Sequence, residues 1–302
     1  MNMALSIAQI RHVGLFSPRL PEQARFYSEI WGLERVVEND RAAFFRGTSP
    51  EYFLLSLHQG AAKGLHHIAY AMPDEATLWH AAAGLKTAGV RFIEEPHPLN
   101  EPGGGYGLRF VDPDGRCIEL SSGVASHSNE SHPKNVAPRS VCHIVLNTPD
   151  IDRITKFYTS VLGFRISDWS GQQMVFLRTD SKHHNISFNL APHASVNHVA
   201  YLVSGIDQIM LGISNLRKHG FEPVWGPGRH GPGNNIFCYY KDPIGYVTEY
   251  TSDIDYIHDE AAHQPKVWPR GPESMDRWGV AAPPSAELRA AMTGEPDNGW
   301  LG

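Results

Sequence analysis

Three residues in the second half of the chain have side chains of the types that can bind metal ions. His143, His198 and Glu249 lie in strand-like segments, CHIVL, HVAYLV and VTEYTS, and are called the metal triad below. Successive side chains of a strand alternate between faces, so one residue from each strand can point to a common face. Two imidazoles and a carboxylate can cap one face of a metal and leave three adjacent positions open, as in non-haem Fe(II) oxygenases. Zinc sites of similar composition exist, and an isolated strand histidine is more often structural.

An internal repeat organises the chain. Residues 8–122 and 139–252 match at an offset of 131 that falls to 130 toward the end, so we interpret them as two copies of one module. His12, His67 and Glu119 stand where the second copy has the metal triad. Either copy could hold a metal on ligand count alone.

Four regions follow from this repeat. They are an N-terminal scaffold module at 1–122, a polar linker at 123–138, a C-terminal catalytic module at 139–252, and a tail at 253–302. The tail is rich in proline, glycine and charge, yet it carries Trp268, Trp278 and Trp300. A disordered tail seldom holds so many large aromatic residues. We therefore expect it to pack across the opening of the second module or against another subunit.

Each copy shows the same succession of elements. In the second copy a strand precedes a helix that begins near Ile151 and is stopped by Gly163; short strands and a second helix, Ile206 to Lys218, come next. Strands around FEPVW and NIFCYYKD and a DPIG turn lead into the last strand, VTEYTS. The pattern predicts an α+β fold in which each copy contains two units of a strand, a helix and further strands.

The surroundings of the metal triad distinguish the two copies. Three groups able to move protons or hold a phenol lie in the second copy, at His184, His230 and Tyr239. The first copy has Phe53, Asn100 and Arg109 at the equivalent positions. None of these can relay a proton near neutral pH. We therefore assign the chemistry to the second copy and a scaffolding role to the first.

Residues 228–249, GRHGPGNNIFCYYKDPIGYVTE, resemble the signature of the type I extradiol ring-cleavage dioxygenases of the vicinal oxygen chelate superfamily. The resemblance covers both modules to about Ser252; Cys238 stands where that family has an aliphatic or aromatic residue, a mild departure because a buried cysteine behaves as a small hydrophobe. It implies tandem glyoxalase/bleomycin-resistance-like modules, each of two βαβββ units whose strands curl into an open barrel.

The same resemblance implies roles for the site residues. The metal triad would bind Fe²⁺, with Mn²⁺ as the less favoured alternative, and O₂ would be the co-substrate. His184, whose His-x-x-x-Phe context fits the family better than that of His183, would be the acid–base histidine. His230 and Tyr239 would hydrogen-bond an aromatic diol during extradiol cleavage. We interpret three further histidines as surface or linker residues: His183, His193 and His219.

Composition and charge limit the classes of binding partner that we expect for this chain. The net charge of −6 is spread along the chain without a basic stripe, which argues against nucleic acid and membrane surfaces and favours small molecules. No run of eighteen apolar residues occurs, and the three cysteines form no disulfide pattern, so a cytoplasmic protein is expected. A symmetric homo-oligomer is the expected assembly.

Two other functions fit the same pattern. One is a glyoxalase-like isomerase that uses another divalent metal and needs no O₂. The other is a non-catalytic module of the bleomycin-resistance type that sequesters its ligand. The sequence also leaves open which catechol-type ring is the substrate.

Overall fold

Two mixed β-sheets, one from each copy of the repeat, form the body of the molecule in a computed structural model that describes residues 5–128 and 136–297. The first sheet contains β1 (Gln9–Ser17), β2 (Glu34–Glu38), β3 (Ala42–Arg46), β4 (Leu55–Gln59), β5 (Gly64–Ala71), β6 (Phe92–Pro98), β7 (Tyr106–Val111) and β8 (Cys117–Ser122). The second contains β9 (Ser140–Thr148), β10 (Arg165–Ser170), β11 (Met174–Arg178), β12 (Ile186–Leu190), β13 (Ser195–Leu202), β14 (Trp225–Arg229), β15 (Ile236–Lys241), β16 (Val247–Ser252) and β17 (Lys266–Trp268).

Helices connect the strands within each copy and continue in the tail. They are α1 (Leu20–Arg25) with a following π-helical turn (Phe26–Ile30), α2 (Glu75–Thr87), α3 (Ile151–Ser160), α4 (Ile206–Lys218), α5 (Pro272–Met275) and α6 (Ala286–Thr293). No helix in the described ranges is both long and apolar enough to span a lipid bilayer.

The strand pairing shows how each copy is built from two units. In the first sheet β1 runs parallel to β4 and antiparallel to β5, and β5 runs parallel to β8. The second sheet repeats this arrangement with β9, β12, β13 and β16. Its strand order is β14-β15-β16-β13-β9-β12-β11-β10-β17, and no pairing among the described residues joins its two ends. The predicted α+β fold of tandem modules with open, curled sheets is confirmed.

The predicted elements match the observed ones closely, with one exception. The two helices of the second copy end at Ser160 and Lys218, before the glycines that the sequence marks as stops. The strand predicted around FEPVW lies further along the chain than expected, because β14 begins only at Trp225. Pro223 lacks an amide proton and cannot donate to a strand ladder, which delays the start of pairing.

The core is continuous across both copies. Trp31 stacks on Tyr250 with ring centroids 3.7 Å apart and an interplanar angle of 11°, and the Tyr250 hydroxyl donates to the Trp31 carbonyl oxygen over 2.6 Å. A Cβ atom at Gly212 would lie 2.6 Å from the Tyr250 ring, so α4 can approach only with glycine there. Tyr250 follows Glu249 on β16 and points to the opposite face, so this packing fixes the strand that carries Glu249.

Candidate metal centre

The metal triad comes together on three strands of the second sheet. His143 lies on β9, His198 on β13 and Glu249 on β16. Ala200 on β13 pairs with both His143 and Glu249, and a bulge between Val196 and His198 shifts the register of β13 against β9. All three side chains are buried, and one ligand atom from each lies within 4.8 Å of the others.

The distances within the metal triad suit a shared ion. Glu249 Oε2 lies 3.2 Å from His143 Nε2 and 3.3 Å from His198 Nε2. Two ligands at right angles on one metal, each about 2.1 Å from it, would be separated by about 3 Å. The side chains therefore need only small adjustments to coordinate one ion.

Hydrogen bonds that involve Asn147 and Asn197 determine which ring nitrogen of His198 carries the proton. Asn147 Nδ2 donates to the Met292 carbonyl oxygen over 2.7 Å, so Asn147 Oδ1 accepts the bond from Asn197 Nδ2 over 3.1 Å. Asn197 Oδ1 then faces His198 Nδ1 at 2.8 Å and accepts its proton. In the neutral ring His198 Nε2 consequently carries a lone pair that points at the Glu249 carboxylate.

Two lone pairs that face each other across 3.3 Å repel unless a cation lies between them. Neither His198 Nε2 nor Glu249 Oε2 has a hydrogen-bond partner among the described residues, although both atoms are buried. Two metal ligands that point at the same ion would lie this close to each other without forming a hydrogen bond. The metal triad therefore fits a divalent cation.

The charges of the metal triad support the same conclusion. Burial by itself would lower the pKa of His143, but the Glu249 carboxylate outweighs it and raises the pKa of His143 to about 10. Burial would raise the pKa of Glu249, but the two histidines hold it well below its usual range. Burial lowers the pKa of His198, with Glu249 opposing. Without metal, one positive charge on His143 compensates the buried carboxylate.

His230 and Tyr239 form a pair beside the metal triad. His230 Nδ1 donates to the Met275 carbonyl oxygen over 2.9 Å, so its Nε2 is an acceptor, and the Tyr239 hydroxyl donates to it over 3.1 Å. Tyr239 lies opposite Glu249 in the β15–β16 ladder. Burial, followed by the Glu249 charge, raises the pKa of Tyr239, so the phenol stays protonated and can donate.

The structure also brings His184 to the site, where its ring centroid is 4.3 Å from that of His143. Burial, followed by the charge of His143, lowers the pKa of His184, so it is neutral. The interpretation of His183 as a surface or linker residue is wrong. His183 is buried, and its ring hydrogen-bonds both Asp168 and His184.

A cavity of about 400 Å³ is lined by His143, His184, His198, His230 and Tyr239. Its walls combine the polar groups described above with apolar residues of the second sheet and with residues of the tail. Its volume lies in the range of pockets for small aromatic ligands. The tail residues that line it include Pro269, Arg270, Met275, Pro283, Arg289 and Met292. Trp268 and Trp278 lie in the described part of the tail, whereas Trp300 lies outside the described residues.

The equivalent place in the first copy is filled by an ion pair. Arg109 stands where the second copy has Tyr239, and its Nε and Nη2 donate to Glu119 Oε2 over 2.9 and 2.8 Å. Arg109 also pairs with Glu101 at 2.5 Å. His12 and His67 lie beside them with Nε2 atoms 2.7 Å apart. A guanidinium thus compensates the carboxylates where the second copy lacks a fixed positive charge.

Sequence reasoning missed several residues of the site. Asn235 donates to Thr251 Oγ1 over 2.8 Å and lies 3.4 Å from Glu249 Oε1, and Asn197 orients His198. Both asparagines sit directly beside a predicted strand or ligand in the sequence, but asparagine is also common in ordinary turns. Asp168 lies at a bulge of β10, a displacement that residue types alone do not reveal.

The sequence profile of the Glyoxalase/Bleomycin resistance protein/Dioxygenase superfamily matches residues 9–120 and 140–250 of the chain. The chain belongs to this superfamily. Metapyrocatechase 2 of Cupriavidus necator is 30% identical over 66% of this chain and 67% of its own length. The manganese-dependent 2,3-dihydroxybiphenyl 1,2-dioxygenase of Geobacillus genomosp. 3 is 28% identical over 80% of this chain and 83% of its own.

Solved structures of the superfamily share this architecture. The Mn(II)-bound glyoxalase from Novosphingobium aromaticivorans is 37% identical, with a TM-score of 0.88 and coverage of 93% of both chains. The homoprotocatechuate 2,3-dioxygenase from Arthrobacter globiformis superposes with a TM-score of 0.84 over 97% of this chain and 92% of its own, at 21% identity. At that identity the second match shows the fold alone.

Proposed function

We propose that the chain is a metal-dependent extradiol dioxygenase that opens the ring of a catechol-type diol. The observation that carries this proposal is the pair of buried, unpaired lone pairs on His198 and Glu249 beside His143, at one wall of a cavity of about 400 Å³. Two relatives whose names describe ring-cleaving enzymes support the reaction class. Catechol-type diols are therefore the substrate class to test first.

The metal that we propose is Fe²⁺, held by the metal triad. Two imidazoles and one carboxylate also suit Mn²⁺, and both a manganese-dependent dioxygenase and a Mn(II)-bound glyoxalase occur among the similar proteins. Iron is preferred because three open positions next to this ligand set are typical of oxygen-activating iron sites. The bound ion would act as a Lewis acid toward the diol oxygens and bring O₂ next to the ring.

The protein side chains would handle the protons of the reaction. His184 is buried, neutral and adjacent to His143, so it can accept a proton from the diol as the diol binds and return it later. Tyr239 stays protonated and donates its proton to His230 Nε2, so its hydroxyl oxygen is oriented to accept a hydrogen bond from a substrate hydroxyl. The apolar residues of the cavity wall would limit the access of bulk water to the ring.

The proposed reaction balances without an external reductant. One O₂ is consumed per diol, a ring C–C bond next to the diol breaks, and both oxygen atoms remain in the ring-opened product. The two electron pairs that reduce O₂ are the σ and π electrons of the broken ring bond, whose hydroxyl-bearing carbon becomes a carboxyl group and whose other carbon becomes a carbonyl group. The product would be a semialdehyde or keto acid, whose extended conjugation colours it yellow.

A second candidate is a manganese-dependent isomerase of the glyoxalase type. It is favoured by the 37% identity to the Mn(II)-bound glyoxalase, which covers 93% of both chains. An isomerase needs no O₂, and it leaves the pairing of His230 with Tyr239 without a diol to bind. Oxygen consumption therefore separates the two functions.

The test begins with anaerobic purification, reconstitution with Fe²⁺ or Mn²⁺, and an oxygen-electrode screen over substituted and bicyclic catechols. We expect one O₂ per diol, and ¹⁸O₂ should place two labelled atoms in the product. His143→Ala should abolish both metal retention and turnover, whereas His193→Ala, which alters a histidine that hydrogen-bonds the Gly294 carbonyl oxygen, should not. Hemithioacetal isomerisation without oxygen uptake would instead favour the isomerase.

A further inference from the structure

A chain of hydrogen bonds runs from the tail to His184. The carboxylate of Asp168 accepts from the backbone amide of Lys266 and from Trp268 Nε1, each over 2.7 Å. The same carboxylate lies 3.1 Å from His183 Nε2. On the other side of that ring, His183 Nδ1 lies 3.0 Å from His184 Nδ1. Strand β17 of the tail is thereby connected to the histidine next to the metal triad.

The proton positions along this chain follow from its first members. The Lys266 amide and the Trp268 indole can only donate, so Asp168 accepts from both. Although burial opposes it, the bonds from His183, Lys266 and Trp268 lower the pKa of Asp168, which keeps the carboxyl ionised. His183 must then carry its proton on Nε2, which leaves a lone pair on Nδ1. His184 must therefore donate from Nδ1, and its Nε2 carries the lone pair.

Tight packing holds the two histidines in place. Both are buried, at 4% and 3% exposure, so water cannot easily replace their mutual bond. The His183 amide donates to the Asp255 carbonyl oxygen over 2.8 Å, which anchors its backbone. A Cβ atom at Gly233, which has φ +75°, would lie 3.1 Å from His183 Nδ1 and from His184 Cε1. The loop that contains Gly233 thus closes against both rings.

The first copy of the repeat has no counterpart of Asp168, His183 or His184, the three side chains of the second copy that form these hydrogen bonds. The residues at the equivalent positions are Val37, Tyr52 and Phe53. Val37 occupies the bulge that corresponds to the one at Asp168, so the comparison holds in the structure as well as in the sequence. These hydrogen bonds are therefore found in the second copy, where no arginine in the described part of the chain pairs with the glutamate of the metal triad.

We propose that Asp168 and His183 are positioning residues that hold His184 in the tautomer with a free Nε2, and that Trp268 of the tail fixes Asp168. Among the described residues no group hydrogen-bonds His184 Nε2, and His184 lines the cavity. The proton of a bound diol therefore has a lone pair to accept it. When Nε2 takes that proton, the ring becomes a cation whose Nδ1 proton stays bonded to His183, with the Asp168 charge beyond it.

The role of His184 toward a diol rests on the proposed function, but its tautomer does not. The direct test is ¹⁵N NMR of histidine-labelled, metal-free protein, in which long-range ¹⁵N–¹H couplings identify the protonated nitrogen of each ring. We expect His184 to be protonated on Nδ1 and His183 on Nε2. His184→Gln and His183→Gln assign the two rings by loss of signal. The opposite tautomer of either ring in the wild-type protein would overturn the proposal.

Variants then connect the tautomer to turnover. In Asp168→Asn the amide nitrogen replaces either Oδ1, where it opposes the Lys266 amide, or Oδ2, where it opposes the Trp268 and His183 protons. The charge that fixes the His183 tautomer is lost in either case, so His184 should populate the tautomer protonated on Nε2. The kcat with catechol as the probe should fall by about 10²-fold, the lower range for loss of general acid–base catalysis. Metal content and the anaerobic affinity for catechol should stay near the wild-type values. An unchanged kcat in a variant with the reversed tautomer would contradict the proposal.

A gentler variant covers the case in which Asp168→Asn does not fold. Trp268→Phe removes one donor to Asp168 and keeps the ring, so it should lower kcat by a smaller factor with the metal content unchanged. Trp278→Phe is the matched control, since that indole is 43% exposed and takes no part in the hydrogen bonds that connect Trp268 with His184. Equal effects of the two tryptophan variants would count against the proposal. If the wild-type protein consumes no O₂ with any catechol, the proposed function fails, while the NMR result still decides the tautomer.

Discussion

Metal binding is expected to release one proton from the protein. Without metal, His143 is a cation because the nearby Glu249 carboxylate outweighs the effect of burial and raises the pKa of His143 to about 10. Burial keeps His198 neutral, and Glu249 is already ionised. Coordination requires neutral imidazole, so a divalent ion must displace the His143 proton.

The size of the release follows from the pKa of His143. A group with a pKa of about 10 is about 99% protonated at about pH 8, so binding should release about one proton per ion. With its ordinary pKa near 6.5, the same histidine would be only about 3% protonated, and almost no proton would appear. The two cases differ by about thirtyfold in a directly measurable quantity.

The assay is a titration of metal-free protein with Mn²⁺ in a weakly buffered solution with a pH indicator. Mn²⁺ is preferable to Zn²⁺, because water bound to zinc in proteins loses a proton near neutral pH and would add to the signal. His143→Gln is the control, since any residual binding should then release almost no proton. A wild-type release near zero, or near two protons per ion, would refute the proposed charge state of the metal triad.

Three further predictions concern the first copy and the core. Arg109→Met should cost about 3–5 kcal/mol, because it leaves Glu119 buried without its partner, and equilibrium dialysis should then detect a second equivalent of Mn²⁺ per chain; one equivalent would contradict this. Burial, aided by Arg109, lowers the pKa of His58 to about 4, so its contribution to stability is present above pH 6.5 and is lost as the pH falls through 4. Urea unfolding at about pH 7 and 4.5 should therefore show a loss of stability that is about 2–3 kcal/mol smaller in His58→Asn than in the wild-type protein, where other buried histidines such as His66 and His230 add to the loss; an equal loss in the variant would contradict it. Trp31→Ala should lower the free energy of unfolding by about 3–5 kcal/mol, since it removes a fully buried ring stacked on Tyr250, and a loss under about 1 kcal/mol would be inconsistent with that packing.

Much of the fold was predictable because the sequence contains two copies of the same module. The repeat supplies two independent examples of each strand and helix, and the glycines after α3 and α4 mark where the helices stop. The candidate ligands were also recognisable, since histidine and glutamate in apolar strands stand out by residue type. Their convergence depends on the register of β9, β13 and β16, which the alternation of strand faces suggests but does not specify.

Other parts of the site depend on contacts between distant segments. The sequence does not reveal the role of His183, because its partner Asp168 lies at a bulge fifteen residues earlier and the Trp268 donor comes from the tail. The repeat offset correctly aligns Arg109 with Tyr239, but its ion pair with Glu101 involves a loop residue that no strand pattern places. Such side-chain networks are determined by packing in three dimensions, which residue types and periodicity do not encode.

The most direct test of the proposed centre is anomalous diffraction at the iron edge from anaerobic crystals reconstituted with Fe²⁺ and soaked with catechol. The account predicts one anomalous peak per chain, about 2.0–2.3 Å from His143 Nε2, His198 Nε2 and a Glu249 oxygen, with the diol in the adjoining cavity. A peak at the histidines of the first copy instead, or a diol bound away from the metal triad, would contradict it.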